Sequence, residues 1–224
     1  DGQIFMNLID ELDDIGSENV DWTKIYDAMS KNIKISQLIT SYANSLIFKE
    51  VLQWFRKQHY SMKSFLELGC NNGLLSIAIS KLLGNIQFFG IDYASNAIKA
   101  AKLFAKKYKV KNSCFFHADI NIDNSFKNIP KVDMIVAPFF FHEIILFQKT
   151  NWDAINKNIN LVAKPHTILI AINRFEQVDS QCDKLSFNLL KSNFKEINRD
   201  SITVNSSSIN NESEIFPVQV FSKI

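Results

Sequence analysis

The chain is poor in cysteine. Three stand in 224 residues, Cys70, Cys114 and Cys182, odd in number and far apart. No CxxC pair or Cys/His cluster accompanies them, so a disulfide framework is not expected and no metal site is expected. A reducing, cytoplasmic setting fits that usage best. Charge of one sign is also missing: 25 basic against 23 acidic residues leave +2. That excess is too small to argue for a nucleic-acid partner or an anionic membrane surface. No run of 18 apolar residues occurs. The richest stretch, "LLSIAISKLLGNIQFFGI", is interrupted by Lys81, Gly84 and Asn85, which argues against a membrane span. Six glycines and four prolines are few. What remains is ordinary globular composition, 46% hydrophobic and 21% charged, with 19 phenylalanines. The length suits one compact domain, or one domain with a helical appendage. The frequent Asn, Ile and Lys read as nucleotide composition of the source rather than chemistry. The chain begins at Asp1, not Met, which leaves room for upstream residues and a removed targeting segment.

Two rhythms follow one another along the chain. From Ile4 to about Tyr60, "IFMNLIDELDDI" and "SQLITSYANSLIFKEVLQWFRKQ" place apolar residues at helical spacing, with Ser36 as an N-cap. Residues 1–62 therefore read as a helical cap or lid. From Lys63 short apolar runs alternate with helical patterns. The strands are "KSFLEL", "IQFFGID", "SCFFHADI", "KVDMIVAPFF" and "TILIAINRF". The helices between them are "NGLLSIAISKLL", stopped by Gly84, "SNAIKAAKLFAKKY", capped by Ser95, and "WDAINKNINLVA", stopped before Pro165. A helix "CDKLSFNLLKSNF" then precedes two strands, "KEINRDSITVN" and "IFPVQVFSKI", joined by a Ser/Asn-rich loop. The fold class expected for residues 63–224 is α/β: a doubly wound, mostly parallel, seven-stranded sheet with an antiparallel C-terminal hairpin.

The chemistry gathers at strand ends. In such sheets ligands bind beyond the carboxyl ends of the strands. The first strand ends in "ELGCNNG" and runs at once into a helix. Gly69 and Gly73 permit a tight turn and close approach of a ligand, and the helix N-terminus that follows attracts anionic groups. Alone, that stretch is as readily a plain turn. The second strand ends in "GIDY", where Asp92 can accept from both hydroxyls of a ribose; a hydrogen bond to a charged partner contributes roughly 1.5–3 kcal/mol. The third ends in "HADI", where Asp119 can accept from an adenine amino group, flanked by Ala118 and Ile120. Each acid is also an ordinary helix-start or loop residue. Jointly, at the ends of three successive strands, they suit one adenosine. A dinucleotide GxGxxG is not met, since Asn71 and Leu74 occupy its second and third glycine places, so a nicotinamide oxidoreductase is disfavoured.

What stands instead, Glu67-x-Gly69-x-x-x-Gly73, resembles motif I of the class I S-adenosylmethionine-dependent methyltransferases, with Asn71 in place of the middle glycine. The resemblance extends from about Ser64 to Ile224. "DMIVAPFFFHEI" is similar to the family's fourth strand, with His142 and Glu143 where two histidines often stand. "NINLVAKPHTILI" is similar to its L-x-P-G-G-x-L-x-I segment, with His166 and Thr167 in the glycine places. The resemblance implies S-adenosylmethionine as cofactor and S-adenosylhomocysteine as product. It implies cofactor contacts from Glu67, Gly69, Asn71, Gly73, Asp92, Tyr93, Asp119, Ile120 and Ala137.

Methyl transfer needs alignment of donor and acceptor rather than a protein nucleophile. His142 is the first candidate for a general base, with Glu143 to orient it or act itself; a structural role for the His pair is the alternative. His117 is expected to be structural, and His59 and His166 to lie at the surface. Ala137-Pro138-Phe139-Phe140 keeps one proline and an aromatic of the (N/D/S)-P-P-(Y/F) signature of amino-group methyltransferases but lacks its polar first residue. Phe139 and Phe140 then read as a wall for the acceptor, or as core, and Tyr26 and Tyr42 of the cap as further substrate contacts. The reading is a methyltransferase acting on oxygen or nitrogen of a small, aromatic or lipophilic acceptor, with no nucleic-acid or membrane partner, and it allows a homodimer. The competing readings are a protein, peptide or RNA acceptor, and a non-methylating cofactor-binding protein on the same fold.

Overall fold

The computed structural model describes residues 45–58, 61–84, 86–146, 150–174, 178–205 and 213–224. Tyr26, Tyr42, Ser36, His59, most of the expected cap and the centre of the C-terminal hairpin loop lie outside the described residues. The described elements are α1 (Ser45–Lys57), β1 (Ser64–Leu68), α2 (Leu74–Leu83), β2 (Gln87–Asp92), α3 (Ser95–Lys107), β3 (Ser113–His117), β4 (Val132–Pro138), α4 (Phe141–Leu146), α5 (Trp152–Val162), β5 (Ala163–Ile172), α6 (Val178–Leu190), β6 (Phe194–Asn205) and β7 (Ser213–Lys223).

The strands form one seven-stranded sheet in the order β3-β2-β1-β4-β5-β7-β6. β1 to β5 pair in parallel, and β7 runs antiparallel between β5 and β6. This is the expected α/β fold. The order reverses between β1 and β4, and that is where a doubly wound sheet opens a crevice at its carboxyl edge. Both faces are covered because the central strands alternate two apolar sets. Leu66, Leu68, Ile135, Ala137, Leu169 and Ala171 face α4, α5 and α6, while Phe65, Phe88, Val136, Ile170 and Val218 face α1, α2 and α3. The near-continuous apolar runs of β1 and β4 follow from burial on both sides.

Four local expectations are corrected. Strand β3 stops at His117 rather than Ile120. The reason is Asp119, whose Oδ1 accepts from the backbone N–H of Asn121 at 2.8 Å and turns the chain. Strand β4 ends at Pro138 rather than at Phe140: Phe139 and Phe140 turn the chain, and α4 begins at Phe141, a break that two further apolar residues do not signal. Strand β5 starts at Ala163, ahead of Thr167, with a register shift opposite Val132 and Met134. There Thr167 Oγ1 accepts from Lys164 N and donates to Val132 O, both at 2.8 Å. Ser95 is not the cap of α3. The capping position is Ala94, whose N–H is taken by Asp92 Oδ1 at 2.8 Å, so the strand-end carboxylate does the work of a cap.

Candidate active site

The loop between β1 and α2 is built for positive φ. Gly69, Asn71 and Gly73 have φ of 67°, 46° and 71°. Asparagine tolerates this left-handed region, which is how it can stand where the family pattern has glycine. His166 does the same at φ 64° in the other glycine place. Space is also short. A Cβ on Gly69 would lie 2.7 Å from the Phe140 ring, and one on Gly73 2.7 Å from the Phe115 ring. The loop closes through Gly73 N–H to Cys70 O at 2.8 Å and is sewn to β2 by Cys70 N–H to Ile91 O at 2.8 Å.

Asp92 ties this loop to the next strand end. Its Oδ2 accepts from Asn71 N–H at 2.9 Å while its Oδ1 accepts from Ala94 N–H. A carboxylate has about four lone-pair directions, so both oxygens keep capacity for further donors. Burial pushes its pKa up, and the Ala94 and Asn71 N–H groups oppose that by holding the charged form. Tyr93 follows, its carbonyl 2.7 Å from His117 Nε2, and His117 is register partner to Asp92. Asp119 and Ile120 lie just beyond the adjacent strand, Asp119 half-buried and Ile120 packed into the core.

Glu67 sits apart from the other residues of its motif. It is 3% exposed, and its carboxyl group accepts from the Ser76 hydroxyl on α2. Burial raises its pKa to about 8. Its carboxyl group thereby ties the end of β1 to α2, the two elements that the loop joins. Ala137, at the carboxyl end of β4, is wholly buried.

Past β4, Phe139 adopts φ 56° and donates its N–H to Ile172 O at 2.6 Å. Its ring meets Phe216 edge-on at 5.4 Å and His142 at 6.4 Å. Phe140 covers Gly69, and Phe141 is buried against Trp152. Phe139 and Phe140 are half-buried, each packed against one of the two core clusters. His142 and Glu143 occupy the first turn of α4. Burial, with Arg174 adding to it, lowers the His142 pKa to about 4, well below the ordinary 6.5. Its Nδ1 is buried without a hydrogen-bond partner.

Two amide side chains in this region also carry buried atoms with no partner of their own. Asn71 is one, its Oδ1 inside the glycine loop, where a donor from a bound cofactor would satisfy it. The other is Asn173, directly after β5, fully buried with both Oδ1 and Nδ2 unpartnered. Asn173 belongs to none of the sequence motifs. The available signal is its place at a fifth strand end, in "AINRF". Among the described residues no cluster of His, Cys, Asp and Glu fit to hold a metal occurs.

A loop of three left-handed residues, a carboxylate at the second strand end and another past the third now stand along one edge of a sheet ordered 3-2-1-4-5-7-6. A family model described as "Methyltransferase domain" matches residues 66–169, which contain all of them. Over those residues the chain is similar to a methyltransferase domain. Relatives agree with that likeness. Release factor glutamine methyltransferase of Dictyoglomus turgidum is 27% identical over 103 residues, 42% of this chain and 36% of that protein. Ribosomal protein L11 methyltransferase of a Psychrobacter species is 32% identical over 88 residues, 38% of this chain and 28% of that one. The chain thus matches about a third of the length of these curated relatives. A crystal structure of an S-adenosylmethionine-dependent methyltransferase from Aquifex aeolicus superposes over 86% of this chain and 99% of its own, with TM-score 0.64 and 15% identity, a likeness of fold.

Proposed function

We propose that this methyltransferase domain transfers a methyl group from S-adenosylmethionine to an oxygen or nitrogen of a small acceptor with an aromatic or lipophilic body. The observation that carries the cofactor half is Asp92, fixed by two backbone donors beside a left-handed loop that holds an unpartnered buried acceptor. Gly69, Asn71 and Gly73 would lie against the cofactor, Asp92 and Tyr93 at its ribose, Asp119 and Ile120 at its adenine, with Glu67 and Ala137 backing them. When bound, S-adenosylmethionine supplies an electrophilic methyl on a sulfonium. The protein contributes alignment and exclusion of water.

The acceptor half rests on the end of β4. Ala137 brings no side-chain hydrogen-bonding group to the start of the Ala-Pro-Phe-Phe run, which argues against the amide- or amine-gripping arrangement of that signature. Phe139 and Phe140 offer apolar faces there instead, with His142 and Asn173 as neighbouring polar groups. With its pKa near 4, His142 stays neutral throughout the physiological range and accepts a proton only weakly. It serves better to receive a hydrogen bond from the acceptor than to carry away its proton, with Glu143 beside it. Tyr26 and Tyr42, which lie outside the described residues, are further substrate contacts in this reading.

A second reading is favoured by the relatives, whose names specify a release factor glutamine and ribosomal protein L11 as what they methylate. One experiment separates the two. Labelled methyl transfer from S-adenosylmethionine is followed with a set of phenols, catechols and aromatic amines on one side and unfolded protein and glutamine-containing peptides on the other. Turnover of the small acceptors alone supports the first reading; turnover of the polypeptides alone replaces it with the second.

A further inference from the structure

Helix α5 lies beyond β4 in sequence, yet its side chains hold the loop that follows β3. Asn158 is fully buried and uses both of its N–H donors on that loop, to Ile120 O at 2.9 Å and Ile122 O at 2.8 Å. Its Oδ1 accepts from Phe126 N–H at 3.3 Å. Seven residues earlier, on the same helix face, Asn151 adds two contacts to Asn121: its N–H donates to Asn121 Oδ1 at 3.2 Å and its Nδ2 to Asn121 O at 3.4 Å. Asn151 also caps α5, accepting from Ala154 N–H at 3.1 Å. The exposed ion pair Lys157–Asp123 at 2.7 Å spans the same gap and, being solvated, contributes little.

These contacts are not needed to complete a ladder or a helix end of the loop itself. The loop turns on its own bonds, Ile122 N–H to Asp119 O and Ser125 Oγ to the same carbonyl. What Asn158 adds is a fixed height and tilt for the peptide units that follow Ile120 and Ile122. The first of these carries Ile120, and Asp119 is its immediate chain neighbour. A buried amide that satisfies three backbone groups at once leaves all three orphaned when removed, so the geometry it sets is strongly enforced.

We propose that Asn158 is a positioning residue for adenine recognition: from α5 it holds the β3–β4 loop so that Asp119 meets the exocyclic amino group and Ile120 the ring. This rests on the reading of the site as one for S-adenosylmethionine. Its consequence is selectivity and not merely affinity. An amino group in the adenine place donates to Asp119, whereas the 6-oxo group of S-inosylhomocysteine would face the carboxylate with an acceptor. Wild type should therefore prefer S-adenosylhomocysteine over S-inosylhomocysteine by about tenfold or more, the worth of one charge-assisted hydrogen bond.

The test is calorimetric titration of both ligands into wild type, Asn158→Leu and Asp119→Ala, with amide hydrogen exchange on the ligand-free proteins. In Asn158→Leu the dissociation constant for S-adenosylhomocysteine is expected to rise about tenfold and the preference to collapse toward that of Asp119→Ala. Exchange should accelerate in residues 119–126 before it does elsewhere. Should Asn158→Leu fail to fold, a milder variant carries the same test. Asn151→Asp keeps the acceptor that caps α5, removes the donor to Asn121, and should narrow the preference about threefold. A purely structural role would weaken both ligands alike and keep the ratio, and that result overturns the inference. Wild type that binds S-adenosylhomocysteine with no preference also overturns it while leaving the proposed activity standing. Wild type that binds neither ligand overturns both.

Discussion

Burial moves His142 and Glu67 far toward neutrality, and each carries its own pH signature. The folded-state pKa of His142 lies near 4, below the 6.5 of the unfolded chain. Between those values the unfolded state binds more protons, so stability rises with pH across that window and is lost as pH falls toward 4. Wild type should lose up to about 3 kcal/mol more than His142→Asn between pH 7 and pH 4, read by denaturant titration at each pH. Should His142 be the base after all, the acid limb of kcat/KM will fall near pH 4 and not near 6.5. For Glu67 the sign is opposite. Its folded pKa is raised to about 8, so the stability it contributes is present in full below about 4.5 and declines as pH climbs through 8. Glu67→Gln, which cannot ionise, should gain on wild type in melting temperature steadily from about pH 4.5 to pH 8 and hold that gain to pH 9. A constant difference across that range would refute the buried neutral carboxyl. At this scale the sequence identifies which residue types matter and misses their surroundings. Glu67 is legible as an acid at a strand end, but that it would be spent on Ser76 depends on how α2 packs. Asn173 belongs to no motif and is marked only by its place directly after β5.

The β1–α2 loop is the element on which the site depends, and its demands can be tested directly. Gly73→Ala combines φ of 71° with a Cβ 2.7 Å from the Phe115 ring, so it should cost about 2–4 kcal/mol of stability. Asn71→Gly relieves a left-handed asparagine and should be neutral or stabilising by up to about 1 kcal/mol before unfolded-chain entropy is counted against it. If cofactor affinity falls in Asn71→Gly while stability does not, Asn71 Oδ1 is a ligand contact and not only a loop former. Elements are legible wherever period and punctuation agree, as in α2, stopped by Gly84, and α3. They fail where the composition is uniform. "APFFFHEIIL" gives strand and helix the same apolar residues, and only β5 pairing on one side and Trp152 on the other end the strand at Pro138. The early end of β3 comes from a side chain, Asp119, competing for a backbone N–H, a choice that propensity does not resolve.

At the scale of the whole molecule, alternation of strand and helix is enough to give a doubly wound sheet and to put its ligands at the carboxyl edge. The antiparallel pairing of the last two strands is legible too, though the insertion of β7 between β5 and β6 follows from resemblance, since two consecutive strands alone do not say which becomes the edge. Helix α1 joins this body through buried Val51 and Phe55 and through Trp54 Nε1, which donates to Asp200 of edge strand β6 at 2.8 Å. Trp54→Phe keeps the apolar contact, loses that bond, and should cost about 1–2 kcal/mol in denaturant unfolding. No helix among the described residues is long and apolar enough to cross a membrane. The central claim is that the edge from Gly69 to Asp119 holds S-adenosylmethionine, and calorimetric titration with S-adenosylhomocysteine tests it most directly, with Asp92→Ala beside wild type and NADH as the control ligand. Wild type should bind S-adenosylhomocysteine at micromolar concentration, Asp92→Ala about 10- to 100-fold more weakly, and NADH should give no response. Folded wild-type protein that ignores S-adenosylhomocysteine, or an Asp92→Ala variant that binds it as well as wild type, would contradict the claim.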